Sequence, residues 1–137
     1  MEIRRTGRKQ ITVEFHSIKE LPVFQLDRKK IEQVFNNLIS NAIKYSYPQS
    51  RVVIDAQREN GALVISVHDT GQGIPPAEMD KLFKPFPRLS VKTTSGESST
   101  GLGLVIVRKI MEAHHGKVWA ESRLNEGTTF SISLPIP

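Results

Sequence analysis

The chain contains no cysteine. Disulfides and thiolate-ligated zinc are therefore excluded, and the composition fits a reducing compartment. No apolar run approaches the roughly 20 residues that a membrane-spanning helix requires. The opening Met-Glu-Ile-Arg-Arg has no apolar stretch of the kind a secretory signal uses. Internal repeats are absent. Histidine is scarce, with four residues, and none stands at metal-ligand spacing from an acid. Aromatic residues make up only 7% and are not interleaved with the basic ones, so the net charge of +5 is weak support for a nucleic-acid surface.

What remains is a globular composition. The 137 residues are 38% hydrophobic, enough for one domain with a real core. Part of the positive charge is local: Arg4, Arg5, Arg8 and Lys9 stand against the single acid Glu2. Residues 1–10 accordingly read as a basic lead-in or linker, and residues 11–137 as the domain.

Residues 11–16 alternate apolar and polar, as a half-buried strand does, and residues 21–26 suggest a second short strand. Asp27 offers an N-cap, with Leu26 and Ile31 placed for a hydrophobic staple. Ile31, Val34, Phe35, Leu38, Ile39, Ala42 and Ile43 then recur at helical spacing, which predicts a helix over 28–46, stopping before Pro48. Residues 51–59 and 62–69 form a hairpin around Asn60-Gly61. Pro75-Pro76 opens a short helix ending near Phe83. Residues 84–100 are rich in Ser and Thr and read as a long loop. A helix follows over 101–114, with Leu102, Val105, Ile106, Ile110 and Ala113 inward and Gly116 as its stop. Strands near 117–122 and 128–134 end the chain. The expected fold is α/β: a two-layer sandwich of helices on a mixed, largely antiparallel sheet.

Polar residues interrupt these patterns at informative places. On the first helix Asn37, Asn41 and Lys44 fall within about 60° of arc, with Tyr45 at the same border. Amide oxygens suit a hard cation, a lysine suits phosphate and a tyrosine offers a flat face to a base. An ordinary solvated helix edge would look the same. Asp69 continues the Leu63, Ile65, Val67 face and so points its carboxylate toward the core, where an acid needs a donor. Asp-x-Gly is also a common turn, and Gly71 and Gly73 would let backbone approach closely. Gly101-Leu102-Gly103 opens a helix, and helix N-termini favour phosphate. Thr128 shares a face with Phe130, Ile132 and Leu134. His16 sits in strand-like sequence, His68 points away from the Asp69 face, and His114 and His115 end a helix, so no histidine receives a catalytic role.

In this order the blocks resemble the ATP-binding catalytic domain of sensor histidine kinases, part of a wider group shared with gyrase, the mismatch-repair ATPase and the heat-shock chaperone ATPase. The resemblance runs from about residue 11 to 135. Asn37-x-x-x-Asn41-Ala-x-Lys44-Tyr45 is similar to the family's N box, Asp69-x-Gly71-x-Gly73 to its first glycine box and Phe83-x-x-Phe86-x-Arg88 to its F box. Thr100-Gly101-Leu102-Gly103-Leu104 is similar to the second glycine box and Gly127-Thr128-Thr129-Phe130 to the last. Two departures stand out: Pro87 replaces the aromatic before the arginine, and Ser98 and Ser99 replace glycines.

The resemblance implies a Bergerat-type ATP-binding fold, with ATP and Mg²⁺ as cofactors. Asn41 would hold Mg²⁺, and Asn37 would lie near the phosphates. Lys44 and Arg88 would meet phosphate, Tyr45 would line the adenine pocket and Asp69 would bind the adenine amino group. Gly71, Gly73, Ile74, Phe83, Thr100, Gly101, Leu102, Gly103, Leu104 and Thr128 would complete the pocket, with residues 84–100 as an ATP lid. Hydrolysing members of the wider group carry a glutamate four residues before the metal asparagine. Here Asn37 stands there, a poor general base, which favours transfer to a protein over hydrolysis.

The implied activity is protein histidine kinase: donation of the γ-phosphoryl group to a histidine on a separate dimerisation domain, with a response regulator receiver domain downstream. Neither nucleic acid nor membrane contact is expected of this chain. The expected location is the cytoplasm, or the cytoplasmic part of a larger membrane-bound sensor. Two alternatives are a serine kinase of the anti-sigma-factor type and a non-catalytic, ATP-gated interaction module.

Overall fold

The computed structural model describes residues 2–6, 9–17, 20, 22–87, 89–90, 92–94 and 101–137. Six strands form one sheet: β1 (Glu2–Thr6), β2 (Ile11–Ser17), β3 (Arg51–Glu59), β4 (Ala62–Asp69), β5 (Lys117–Arg123) and β6 (Gly127–Pro135). Their spatial order is β1-β2-β3-β4-β6-β5. Only β2 and β3 run parallel, and the helix α1 (Arg28–Tyr45) makes the crossover between them. The other helix, α2 (Gly103–Ala113), lies beside α1. The two-layer mixed sandwich expected from the patterning is the fold observed. Among the described residues, no helix is long and apolar enough to cross a membrane.

Alternation sets the core. Val52, Ile54, Leu63, Val67, Phe130, Ile132 and Leu134 are buried on the helix-covered face of the sheet, beneath Val34, Leu38 and Ala42 of α1. The rungs align Val52 with Asp69 and Asp69 with Thr128, then Ile54 with Val67 and Val67 with Phe130. Asp69 and Thr128 thus occupy the end rung, next to the apolar rungs Ile54–Val67–Phe130 and Ala56–Ile65–Ile132. Asp27 caps α1 by accepting from the Lys30 N–H at 3.2 Å.

Three expectations need correction. The basic lead-in contributes β1, which pairs antiparallel with β2. The strand expected over 21–26 is absent among its described residues, 22–26, which have no regular secondary structure; Leu21 lies outside the described residues. The alternation of residues 22–26 arises because Phe24 and Leu26 pack on the core while Val23 points to solvent. Helix α2 begins at Gly103 and buries Val107, Ile110 and Met111, whereas Ala113 is exposed. Its sequence is apolar around much of its circumference, so spacing alone does not select the buried stripe.

Candidate functional site

A cavity of about 210 Å³ opens between α1, α2 and the end of the sheet. Its floor is the Asp69 rung. Asp69 is 3% exposed and accepts from the Gly71 N–H at 2.9 Å and from the Thr128 backbone. No cation pairs with it among the described residues. Burial pushes its carboxyl above the ordinary range, against the lowering effect of the two backbone N–H groups and of His68. Thr128 is buried beside it, with Oγ1 2.8 Å from Ser122 Oγ. Ser122 Oγ in turn donates to the Gly127 carbonyl at 2.9 Å and accepts the Ile74 N–H at 2.8 Å. The floor is therefore a closed polar network spanning β4, β5, β6 and the glycine loop.

That loop is tight for a reason internal to the protein. A Cβ on Gly71 would sit 2.2 Å from the Tyr45 carbonyl oxygen. A Cβ on Gly73, whose φ is +72°, would sit 2.0 Å from that of Arg123. These glycines let the loop pass between α1 and the β5–β6 turn, so protein backbone, rather than a ligand, fills the space a side chain would need.

Helix α1 supplies the wall. Asn37, Ser40, Asn41, Lys44 and Tyr45 all line the cavity. Asn37 Nδ2 donates to the Gly103 carbonyl at 3.2 Å, which ties α1 to the start of α2 and leaves the amide oxygen to accept or ligate. Among the described residues, the side chains of Asn41, Lys44 and Tyr45 have no hydrogen-bond partner in the protein. Burial pushes the Tyr45 phenol above its usual range, so it remains an O–H donor. Helix α2 has no side-chain N-cap and no acid in its first turn. This donor set suits a hard, hydrated cation together with phosphate: two amide oxygens, an ammonium and a helix N-terminus. It would not suit a soft metal, and the described residues contain no cluster of His, Cys, Asp or Glu that could hold one alone.

The third side is the loop after the 3-10 helix Pro76–Lys81. Pro87 and Leu89 line the cavity. Ser90 donates through its N–H (2.5 Å) and Oγ (2.6 Å) to the two oxygens of Glu78, which holds the Glu78 carboxyl below the usual range. The Phe86 N–H bonds to the Gly101 carbonyl at 2.8 Å. Gln72 Nε2 donates to the Lys92 carbonyl.

Of the residues expected at the site, Asn37, Asn41, Lys44, Tyr45, Asp69, Gly73, Ile74, Gly101, Gly103, Leu104 and Thr128 line this one cavity. Gly71, Phe83 and Leu102 do not. Gly71 shapes the floor from behind, and Phe83 packs edge-on against Phe130 at 6.5 Å. Arg88 and Thr100 lie outside the described residues. Ser40, Leu82, Pro87, Leu89 and Phe130 also line the cavity. Ser40 follows from the α1 stripe, since it precedes Lys44 by one turn. Phe130 reads only as core, and no sequence pattern singles out Leu82.

Cavity and fold together define an ATPase-type α/β sandwich domain. Residues 26–137 match the model of the histidine kinase-, DNA gyrase B-, and HSP90-like ATPases, and the chain belongs to that family. It is 41% identical over 133 residues to sensor histidine kinase WalK of Bacillus subtilis, covering 93% of this chain and 21% of that protein. It is 34% identical over 134 residues to the circadian input-output histidine kinase CikA of Synechococcus elongatus, covering 98% and 18%. The chain thus spans about a fifth of the length of these relatives. The structure resembles the catalytic domain of histidine kinase ThkA with a TM-score of 0.76 and 30% identity, over 99% of this chain and 97% of that one. ThkA in complex with response regulator protein TrrA gives 0.74 and 31%, over 95% and 35%. Full-length ShkA in complex with AMPPNP gives 0.78 and 29%, over 93% and 26%.

Proposed function

We propose that the cavity binds ATP with Mg²⁺ and presents the γ-phosphoryl group to a histidine on a separate dimerisation domain. The observation that carries this reading is Asp69: a buried carboxyl group, with no ion pair among the described residues, at the floor of a cavity whose wall is amide and ammonium. The two backbone N–H groups fill only part of a carboxylate's acceptor capacity, and the adenine amino group is a donor for what is left. The AMPPNP bound to the similar ShkA supports the same assignment. Tyr45 would flank the base. Asn41 would hold the ion through its amide oxygen, with Asn37 beside it. Lys44, Arg88 and the start of α2 would take phosphate charge. The bound Mg²⁺ would neutralise charge on the transferring group. The chain's own contribution is positioning and fixed electrostatics. No residue in the described wall is a strong general base, and an amide at position 37 leaves water unactivated.

The receiver domain of a response regulator is the proposed downstream partner, by analogy with the ThkA complex with TrrA. The test is direct. Calorimetry on this chain should show binding of Mg-ATP, with weak or no hydrolysis. Mixed with a histidine-bearing dimerisation domain, the chain should yield acid-labile phosphate on that domain. Acid-stable phosphate on a serine-bearing partner would instead establish the serine-kinase alternative. Binding without any transfer would establish the interaction module.

A further inference from the structure

The C-terminal end of α1 is saturated in an unusual way. A helix leaves its last four carbonyls without intrahelical partners. Here all four are taken, by groups of Ser46, Lys9, Thr94 and Gln72. The Ala42 carbonyl accepts from Ser46 Oγ at 2.7 Å. The Ile43 carbonyl accepts from Lys9 Nζ at 2.8 Å and from the Ser46 N–H at 3.3 Å. The Lys44 carbonyl accepts from Lys9 Nζ at 3.0 Å and from the Thr94 N–H at 3.0 Å. The Tyr45 carbonyl accepts from the Gln72 N–H at 3.4 Å. One residue on, the Ser46 carbonyl accepts from Lys9 Nζ at 3.1 Å and from Thr94 Oγ1 at 2.5 Å.

Lys9 places a second cation, besides Lys44, at the negative end of the α1 dipole, and it is 6% exposed. Three carbonyls match the three N–H groups of an ammonium. Its acceptors flank and include Lys44, next to Tyr45, the two wall residues at the end of α1. Two of them, the Lys44 and Ser46 carbonyls, are shared with Thr94 of the loop that borders the cavity.

We propose that Lys9 is a positioning residue for the nucleotide site. By clamping the last turn of α1 it fixes where Lys44 and Tyr45 stand, and it sets the acceptor pair on which Thr94 seats the loop. The inference rests on the nucleotide reading of the cavity. It assigns a role in ligand affinity to a segment that lies between β1 and β2, away from every motif of the site.

The test pairs amide hydrogen exchange with nucleotide binding. Lys9→Met keeps an unbranched stem and removes the ammonium. The Ser46, Gln72 and Thr94 amides should exchange at least about tenfold faster, while Val67 and Phe130 in the core strands are unchanged. Mg-ATP affinity should fall about tenfold, the scale for losing hydrogen bonds to a charged group. Uniform acceleration across the core, or local acceleration with unchanged affinity, would show a merely structural cap and overturn the proposal. Should Lys9→Met fail to fold, Thr94→Val carries the test: it removes one of the shared bonds and should speed exchange at Thr94 and weaken Mg-ATP several-fold. Unchanged affinity in that variant overturns the proposal too. A wild-type chain that does not bind Mg-ATP overturns the nucleotide reading itself, and the positioning role with it. A wild-type chain that binds while Lys9→Met binds equally well overturns the positioning role alone.

Discussion

The floor and the wall of the cavity are built on opposite plans. On the floor, Asp69, Thr128, Ser122 and the glycine loop are bonded to one another, and Asp69, Thr128, Gly71 and Gly73 are buried. On the wall, the α1 backbone is fastened at its C-terminal end, yet the side chains of Asn41, Lys44 and Tyr45 have no protein hydrogen-bond partner among the described residues. Floor residues should therefore govern stability and binding together, and wall residues binding or transfer alone. The contrast separates the preformed shape of the site from the contacts left for a ligand.

The sharpest way to break this contrast is Gly73→Ala. A side chain at φ +72° whose Cβ lies 2.0 Å from the Arg123 carbonyl oxygen forces the loop apart. The expected loss is about 3 kcal/mol of folding stability by urea titration, with nucleotide binding lost as well. A stable, binding-competent Gly73→Ala protein would mean that the floor is not preformed. On the wall, Asn41→Ala should lower phosphoryl transfer in the reconstituted system by about 100-fold or more, the scale for losing one fixed contact to the transferring group. Stability should stay within about 0.5 kcal/mol of wild type, as for a side chain without partners. A large drop in thermal stability would place Asn41 with the floor instead.

Asp69 tests the floor by pH. Burial raises its folded-state pKa above the ordinary carboxylate value, so over the window between the two the folded chain holds a proton that the unfolded chain has released. Stability of the ligand-free protein from this group is thus greatest below that window and falls as pH rises through it. Asp69→Asn should flatten that slope and stabilise the ligand-free protein at neutral pH. It should weaken Mg-ATP roughly tenfold or more, because an acceptor for the base is lost. Unchanged affinity would remove Asp69 from the binding site. The smallest effect is expected at the rim. Glu78 has a folded pKa lowered chiefly by the Ser90 side chain, so the tie to Ser90 is present above the ordinary glutamate value and is lost as pH falls through the folded one. Glu78→Gln should speed exchange of the Ser90 amide by about threefold without altering the floor amides.

How much of this was legible depends on whether the cause was local. Helix α1, its Asp27 cap and the Asn60-Gly61 hairpin are written in short-range spacing, and they appear where expected. Asp69 on the core face follows from strand alternation, and the register places it opposite Thr128. The stripe at Asn37, Asn41 and Lys44 was visible, but nothing local distinguished it from a solvated edge until the cavity formed around it. The glycines of the first box were legible as tight points, though their spatial cause, the Tyr45 and Arg123 carbonyls, lies in distant elements. Residues 22–26 resemble a strand in sequence because Phe24 and Leu26 pack on the core while their neighbours are exposed, an alternation that needs no pairing. Lys9 carried no signal at all: a lysine beside a run of arginines reads as solvated charge until the sheet brings it against the end of α1.

The Asp69–Thr128 rung also bears on the order of assembly. The β3–β4 hairpin closes around a two-residue turn and can form from local contacts, but the floor needs β6, which lies far along the chain beyond α2. Pairings of such long sequence separation form late. A folding intermediate that holds the hairpin and α1 but has not docked β6 would possess the wall without the floor. A ligand would then stabilise only the finished molecule, and would slow unfolding at the step where β6 detaches, rather than assist the early stages of collapse.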